Sequence, residues 1–227
     1  SNYLPCIDHP YDKATVDFII TAPDRYSVVA NGILTEESDL VGNMKLTHWK
    51  ESVPVPVKVM TFGAARFAVK YEGESNKIPI SSWVFPQNRQ EGFNDYSIAF
   101  GPLGFYSHLI GDYPYEKLAN VQSKTIYGGL ENAGAIFYAE NSVTGLGQAG
   151  RLVAHEIAHQ WFGDCVTEND WHHVWLSEGF ATYLTSLYFE SVEGKERLAS
   201  EMARTRKQII KYSEEHQRPV IDTTITD

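Results

Sequence analysis

The sequence predicts an α+β fold: a run of strands first, then a mixed sheet served by helices. Three observations predict it. Between Ala14 and Gly32, the runs ATVDFIITAP and YSVVANG are strand-like, rich in β-branched and aromatic residues and bounded by turn signals. From Gln87, helical patterns begin to interleave with strand-like runs. Further on, RLVAHEIAHQWFG (residues 151–163) and WLSEGFATYL (residues 175–184) read as helices that carry histidine and glutamate among apolar side chains.

Taken in order, the first strands are separated by turns at Pro23-Asp24 and Asn31-Gly32. Residues 46–49 and 53–60 are further strands, the second pushed toward a sheet edge because Pro54 and Pro56 lack a ladder donor. The junction near residues 62–65 has no Gly/Ser-rich linker. Strands follow at residues 66–71 and 77–84, then a helical region to about Ile110 that Gly101-Pro102 should bend or break. Residues 118–125 are a strand, and GGLENAGAIFYAEN (residues 128–141) is a loop and a strand. Near the end, Leu198, Met202, Thr205 and Ile209 recur at helical spacing, a surface helix with one buried face. On that reading Lys195, Arg197, Arg204, Arg206 and Lys207 are solvated charge, and RPVIDTTITD is irregular.

The chemistry concentrates in the helix pair. His155 and His159 are four residues apart and share one helix face, so both imidazoles can reach one Zn²⁺. Glu156 projects beside that metal, where it can take a proton from bound water. A catalytic zinc usually has three protein ligands, and Glu178 is the candidate third. The interval between them suits a helix end at Gly163-Asp164 and a new helix capped by Asn169 or Asp170. The bland alternative, core histidines beside a surface glutamate, buries two imidazoles and a charge unpaired among Val153, Ala154, Ile157, Ala158, Trp161 and Phe162.

Composition sets the frame. Hydrophobic content of 43% and charged content of 21% describe an ordinary globular protein. Nineteen basic against 29 acidic side chains, net -10, argue against nucleic acid and anionic membrane surfaces as partners. Cys6 and Cys165 are the only cysteines; one pair is no disulfide framework, and both are read as small buried residues. No run reaches the length of a transmembrane span. There is no signal-peptide pattern, and Ser1-Asn2 looks like the remains of a cleaved tag. The compartment stays open between cytoplasmic and periplasmic or secreted, and no oligomeric state is indicated.

HEIAHQWFG followed by WLSEGFA closely resembles the M1 family of zinc aminopeptidases, the gluzincins. GGLENAG (residues 128–134) resembles that family's exopeptidase motif, and PCIDHPYDKATVDFIITAP (residues 5–23) the end of its N-terminal β domain. The resemblance implies a thermolysin-like zincin catalytic domain over residues 62–227, truncated on its C-terminal side. Residues 1–61 would be the last part of the β domain. It implies one zinc per chain on His155, His159 and Glu178, with Glu156 as general base and then acid. Gly128, Gly129 and the adjacent backbone would line the substrate, and Glu131 would pair with the free α-amine of a peptide. Asn132 would fix Glu131 or the local backbone. Helical spacing, not the resemblance, singles out Thr182: four residues beyond Glu178 on the same face, it either stands behind a ligating histidine or bonds its own i−4 carbonyl.

Two departures follow from the same resemblance. Leu130 stands where the family usually has methionine. The family's catalytic tyrosine lies beyond the third ligand, and Tyr183, Tyr188 and Tyr212 match no such motif; the first two read as core residues of the helix. The fragment is therefore expected to have little activity alone, since one oxyanion donor is worth about 3–4 kcal/mol in the transition state. The rival readings are a non-catalytic peptide-binding relative and a zinc endopeptidase, the latter disfavoured by Glu131 in its GGLEN setting.

Overall fold

A computed structural model describes residues 4–217, 219–221 and 223. Ser1-Asn2 and much of the segment 218–227 lie outside the described residues.

The first 56 residues make β1 (Lys13–Pro23), β2 (Ser27–Ala30), β3 (Ile33–Leu40) and β4 (Met44–Pro56). β4 is the centre of an antiparallel sheet in the order β1-β4-β3, with Trp49 opposite both Phe18 and Leu34. The two strands expected at 46–49 and 53–60 are thus one. Pro54 and Pro56 are tolerated because β3 stops pairing at Lys50, so that end of β4 has a ladder on one side only. Trp49, Ala22, Val28 and Ala30 pack together beneath this sheet.

β5 (Phe62–Ala65) pairs antiparallel with β2, from Ala30 opposite Phe62 to Ser27 opposite Ala65. The passage into the second half is therefore hydrogen-bonded sheet. There β6 (Ala68–Ser75), β7 (Ile78–Val84), β8 (Leu118–Ser123), β9 (Gly129–Leu130) and β10 (Ala135–Ala139) form a mixed sheet ordered β6-β7-β8-β10-β9. β7, β8 and β10 run parallel, while β6 and β9 are antiparallel edges. α1 (Arg89–Tyr96) and α2 (Phe100–Leu109) form the crossover between β7 and β8, as parallel pairing requires. The break between these helices is a tight turn at Ser97–Ala99, ahead of Gly101-Pro102. Pro102 falls in the first turn of α2, where its missing N–H has no helical acceptor to lose.

Alternation along β8 and β10 separates two cores. Leu118, Ile136 and Tyr138 point toward the helices, where Tyr96, Leu103 and Tyr106 meet Val153, Ile157, Leu184 and Tyr188. Ala119, Val121, Ala135 and Phe137 point the other way, onto Val29 of β2. Between the halves, Lys117 is buried and its Nζ donates to Ala30 O (2.7 Å) and Gly134 O (3.0 Å), with the Trp49 ring 5.1 Å away.

Three helices follow: α3 (Gly150–His159), α4 (Val174–Glu193) and α5 (Lys195–Glu215). The buried face expected on α5 is only half covered at Leu198, Met202 and Thr205, and Ile209 is exposed. Tyr188 is in the core, but Tyr183 is exposed; the two are five residues apart and so lie on different faces of α4. Cys6 and Cys165 are free and both exposed, against the expectation of burial, because each sits in irregular chain outside the packed layers. Among the described residues no helix is long and apolar enough to cross a membrane.

Burial pushes the Lys117 ammonium down to about 7, with Glu51 and Glu116 pulling it back up. An unfolded lysine titrates near 10.4, so the unfolded chain binds more protons than the folded one between about pH 7 and 10. Stability therefore rises with pH across that window. Urea unfolding of a Lys117→Met variant at stepped pH should show this rise removed; an unchanged slope would refute it.

Candidate metal centre

The cleft is built on α3, which is amphipathic along its length, with Val153, Ala154, Ile157 and Ala158 fully buried against the sheet. His155 and His159, one turn apart on its cleft-facing side, bring their Nε2 atoms to 3.1 Å. After His159 the chain turns at Gly163 (φ 123), whose missing Cβ would otherwise lie 2.5 Å from Ser177 Oγ and 3.1 Å from His159 Nδ1. A short turn at Trp171–His173, capped by Asp170 accepting from His172 N, then leads into α4. Phe162 stacks on Phe180 at 4.5 Å, setting α4 against the end of α3. Glu178 thereby reaches both imidazoles: its Oε2 is 3.4 Å from His155 Nε2 and its Oε1 3.7 Å from His159 Nε2.

These three side chains form a cluster that can coordinate a metal ion, their ligand atoms all lying within 4.8 Å of one another. The donor set fits zinc. Bond lengths of about 2.0–2.1 Å in a tetrahedron put ligand atoms roughly 3.3–3.4 Å apart, inside the spread of 3.1 to 3.7 Å. The tautomer of His159 fits too. Its Nδ1 lies 3.1 Å from the carbonyl of Phe162, which can only accept, so the proton sits on Nδ1 and the Nε2 lone pair faces the cluster.

Ser177 Oγ also lies 3.1 Å from His159 Nδ1. The hydroxyl behind His159 is thus that of Ser177; Thr182, expected behind a ligating histidine, lines the cleft with Thr185. The correction follows from the tight turn at Gly163, which brings the residue before Glu178 under the ring. Helical periodicity within α4 holds no trace of that approach.

Glu156 is nearly buried, its carboxyl pushed up to about 8 by burial first and then by the neighbouring Glu131 and Glu178 carboxylates. Hydrogen bonding to His155, ahead of other causes, holds Glu178 below its ordinary value, while burial lowers His159. A divalent cation in the cluster would favour the charged form of all the nearby carboxylates.

Across the cleft stands the edge strand β9. A Cβ on Gly129 would sit 2.4 Å from Glu156 Oε1, so only glycine allows this backbone so close to the carboxylate. Gly128 and Glu131 line the same hollow of about 640 Å³ as both histidines, Glu156 and Glu178. Asn132 is buried and its Nδ2 donates to Leu130 O at 3.3 Å, bracing the local backbone. Glu131 lies 4.0 Å from Lys58 Nζ, which is also 3.5 Å from the buried Glu168. Lys58, Glu168 and Ser177 escaped the sequence reading. None belongs to a spacing pattern, and their proximity comes from chain segments far apart.

Chelator competition on Ser177→Ala should show zinc bound about 10–100-fold more weakly. One zinc per chain in the parent and its loss in Glu178→Ala complete the expectation; unaltered affinity in Ser177→Ala would remove its supporting role.

Two family models match the chain: "Peptidase M1 N-terminal domain" over residues 1–57 and "Peptidase family M1 domain" over residues 103–226, the latter more than half of the chain. Leucine aminopeptidase 2 of Neurospora crassa is 30% identical over 199 residues, covering 84% of this chain and 28% of that protein. Glutamyl aminopeptidase of Rattus norvegicus is 27% identical over 211 residues, covering 88% and 22%. The chain thus spans about a quarter of the length of the curated relatives it matches. Among solved structures, the E323A mutant of an M1 zinc metallopeptidase from Deinococcus radiodurans superposes with a TM-score of 0.73 at 26% identity. That match covers 97% of this chain and 50% of the other.

Proposed function

The chain belongs to peptidase family M1, and from that premise we propose that it serves a zinc-dependent aminopeptidase, which hydrolyses the N-terminal bond of peptides with a free amine. The observation that carries this reading is Glu131 on the wall of the same cleft as the metal cluster and Glu156. In the same proposal, residues 1–61 belong to the family's N-terminal β domain and residues 62–227 to its catalytic domain. The end of the antiparallel sheet at Pro56 and the start of the mixed sheet at Ala68 bracket that division, while β5 within the interval pairs back onto β2.

His155, His159 and Glu178 would hold the zinc, which when bound acidifies a water and polarises the scissile carbonyl. Glu156 takes the proton from the attacking water on its carboxylate and returns it to the leaving amine. Its position against Gly129 supports that role, because the peptide backbone would run along β9, whose outer side is open for an added strand. Gly128 and Gly129 keep that edge free of side chains. Glu131 receives the α-ammonium of the substrate, and Asn132 stiffens the turn that presents it. Glu131 is half-buried with Lys58 Nζ 4.0 Å away, and a blocked N-terminus offers it no second cation, which is how the site would disfavour acylated or internal peptides.

The test is hydrolysis of a leucyl anilide and its N-acetyl counterpart by the zinc-loaded protein. The free amine should be strongly preferred, and Glu131→Gln should erode that preference. Glu156→Gln should lower kcat about 10²–10⁴-fold with zinc content unchanged. Equal cleavage of both substrates would favour an endopeptidase; since this chain alone is expected to cleave slowly, a peptide-binding relative is favoured only if zinc binds and Glu156→Gln leaves the residual rate unchanged.

A further inference from the structure

We propose that Gln160 is the positioning residue that sets Glu131 relative to the metal ligands, and so sets which peptide bond the cleft reads. The inference rests on Glu131 being the amine-binding group.

Gln160 follows His159 directly and is fully buried. Its side chain uses all four of its hydrogen-bonding positions. Nε2 donates to Glu131 O at 2.6 Å and to Asp164 Oδ2 at 3.0 Å. Oε1 accepts from Gly134 N at 2.8 Å and from Tyr113 Oη at 3.1 Å, a hydroxyl that divides its one proton with Lys117 O at 3.2 Å. The amide cannot be flipped, since that would set its oxygen against the Glu131 carbonyl and its NH₂ against the Gly134 N–H. One rigid side chain at the end of the metal-binding helix therefore grips both ends of the segment 131–134.

The rest of that segment is also held. Ala133 N donates to Val59 O (3.2 Å), and Asn31 Nδ2 donates to Ala133 O (2.7 Å). Lys117 Nζ and Ala119 N both donate to Gly134 O at 3.0 Å. Those bonds tie the loop to the sheets. Only the Gln160 bonds tie Glu131 and Gly134 to the residue next to a metal ligand. This matters because the α-amine and the scissile carbonyl carbon of a first residue are two bonds apart, roughly 2.5 Å. A site that reads so short a distance needs its two ends held from a common support, and a displacement of about 1 Å at such a site can cost on the order of 10²-fold.

The test uses the zinc-loaded chain carrying Glu156→Gln, so that peptide is held without turnover, and reads binding by calorimetry. A leucyl dipeptide and its N-acetyl form are compared with and without Gln160→Met. In the parent the free amine should bind at least tenfold more tightly. Gln160→Met should cut that ratio about tenfold, with the N-acetyl affinity and the zinc content unchanged. Should Gln160→Met fail to fold, Tyr113→Phe removes one of the four bonds and should reduce the ratio about two- to threefold. A preserved ratio in a folded variant would overturn the role of Gln160 alone. Loss of zinc with equal weakening of both ligands would make it a mere support of the fold and overturn it too. No amine preference in the parent would instead overturn the Glu131 reading, and this inference with it.

Discussion

Burial of polar and ionisable groups along α3 is the constraint to which the surrounding structure answers. His159, Glu156 and Gln160 lie on one short helix and are all nearly inaccessible to water. Each must be partnered or neutral, because an unpaired charge in that setting costs several kcal/mol. His159 is satisfied on its inner nitrogen by Phe162 O and Ser177. Gln160 is satisfied fourfold by the loop, by Asp164 and by Tyr113. Among the described residues Glu156 has no comparable partner, and the carboxylates of Glu131 and Glu178 add to burial in pushing it toward the protonated form. A dication held by His155, His159 and Glu178 would offset that repulsion, so the burial that penalises these groups also suits the cluster to a cation.

The first strands contribute more than a neighbouring layer. Asn31, in the turn after β2, is fully buried and donates to Val59 O (2.9 Å) and Ala133 O (2.7 Å), while accepting from Thr61 N (2.6 Å). Lys117 reaches from the head of β8 to Ala30 and Gly134. A buried loop exposes peptide groups that water cannot reach, and each needs a partner. Here side chains from both halves of the chain supply the partners, which is why the loop carrying Glu131 can be irregular and still rigid. The edge position of β9 has the complementary effect. One side is bonded to β10 and the other is left open along the cleft.

Departures from the sequence-based expectations share a cause. Helical spacing points to Thr182 as the hydroxyl behind a ligating histidine, Tyr183 reads as core, and both cysteines read as interior. Periodicity reports which residues share a face, but it does not report how far a neighbouring segment extends over that face. Ile209 shows the same limit, since α5 keeps its helical pattern while the outer end of its apolar stripe stays uncovered. Pro102 is the converse case. Its chemistry was read correctly, but its tolerated place in the first turn of α2 moved the break to Ser97–Ala99.

By itself the sequence determined the parts of the site that local geometry dictates. A four-residue interval on a helix places His155 and His159 together whatever surrounds them, and an apolar helix with Glu156 beside them demands a compensating charge. The succession of strands and helices was legible for the same reason, since side-chain period follows backbone pitch. Only the tertiary structure decided what lies across the cleft. That Glu131 faces the metal cluster, that Ser177 backs His159, and that Gln160 and Asn31 bind the intervening loop all depend on segments distant along the chain. Such contacts arise from sheet order and helix packing, which no local spacing encodes.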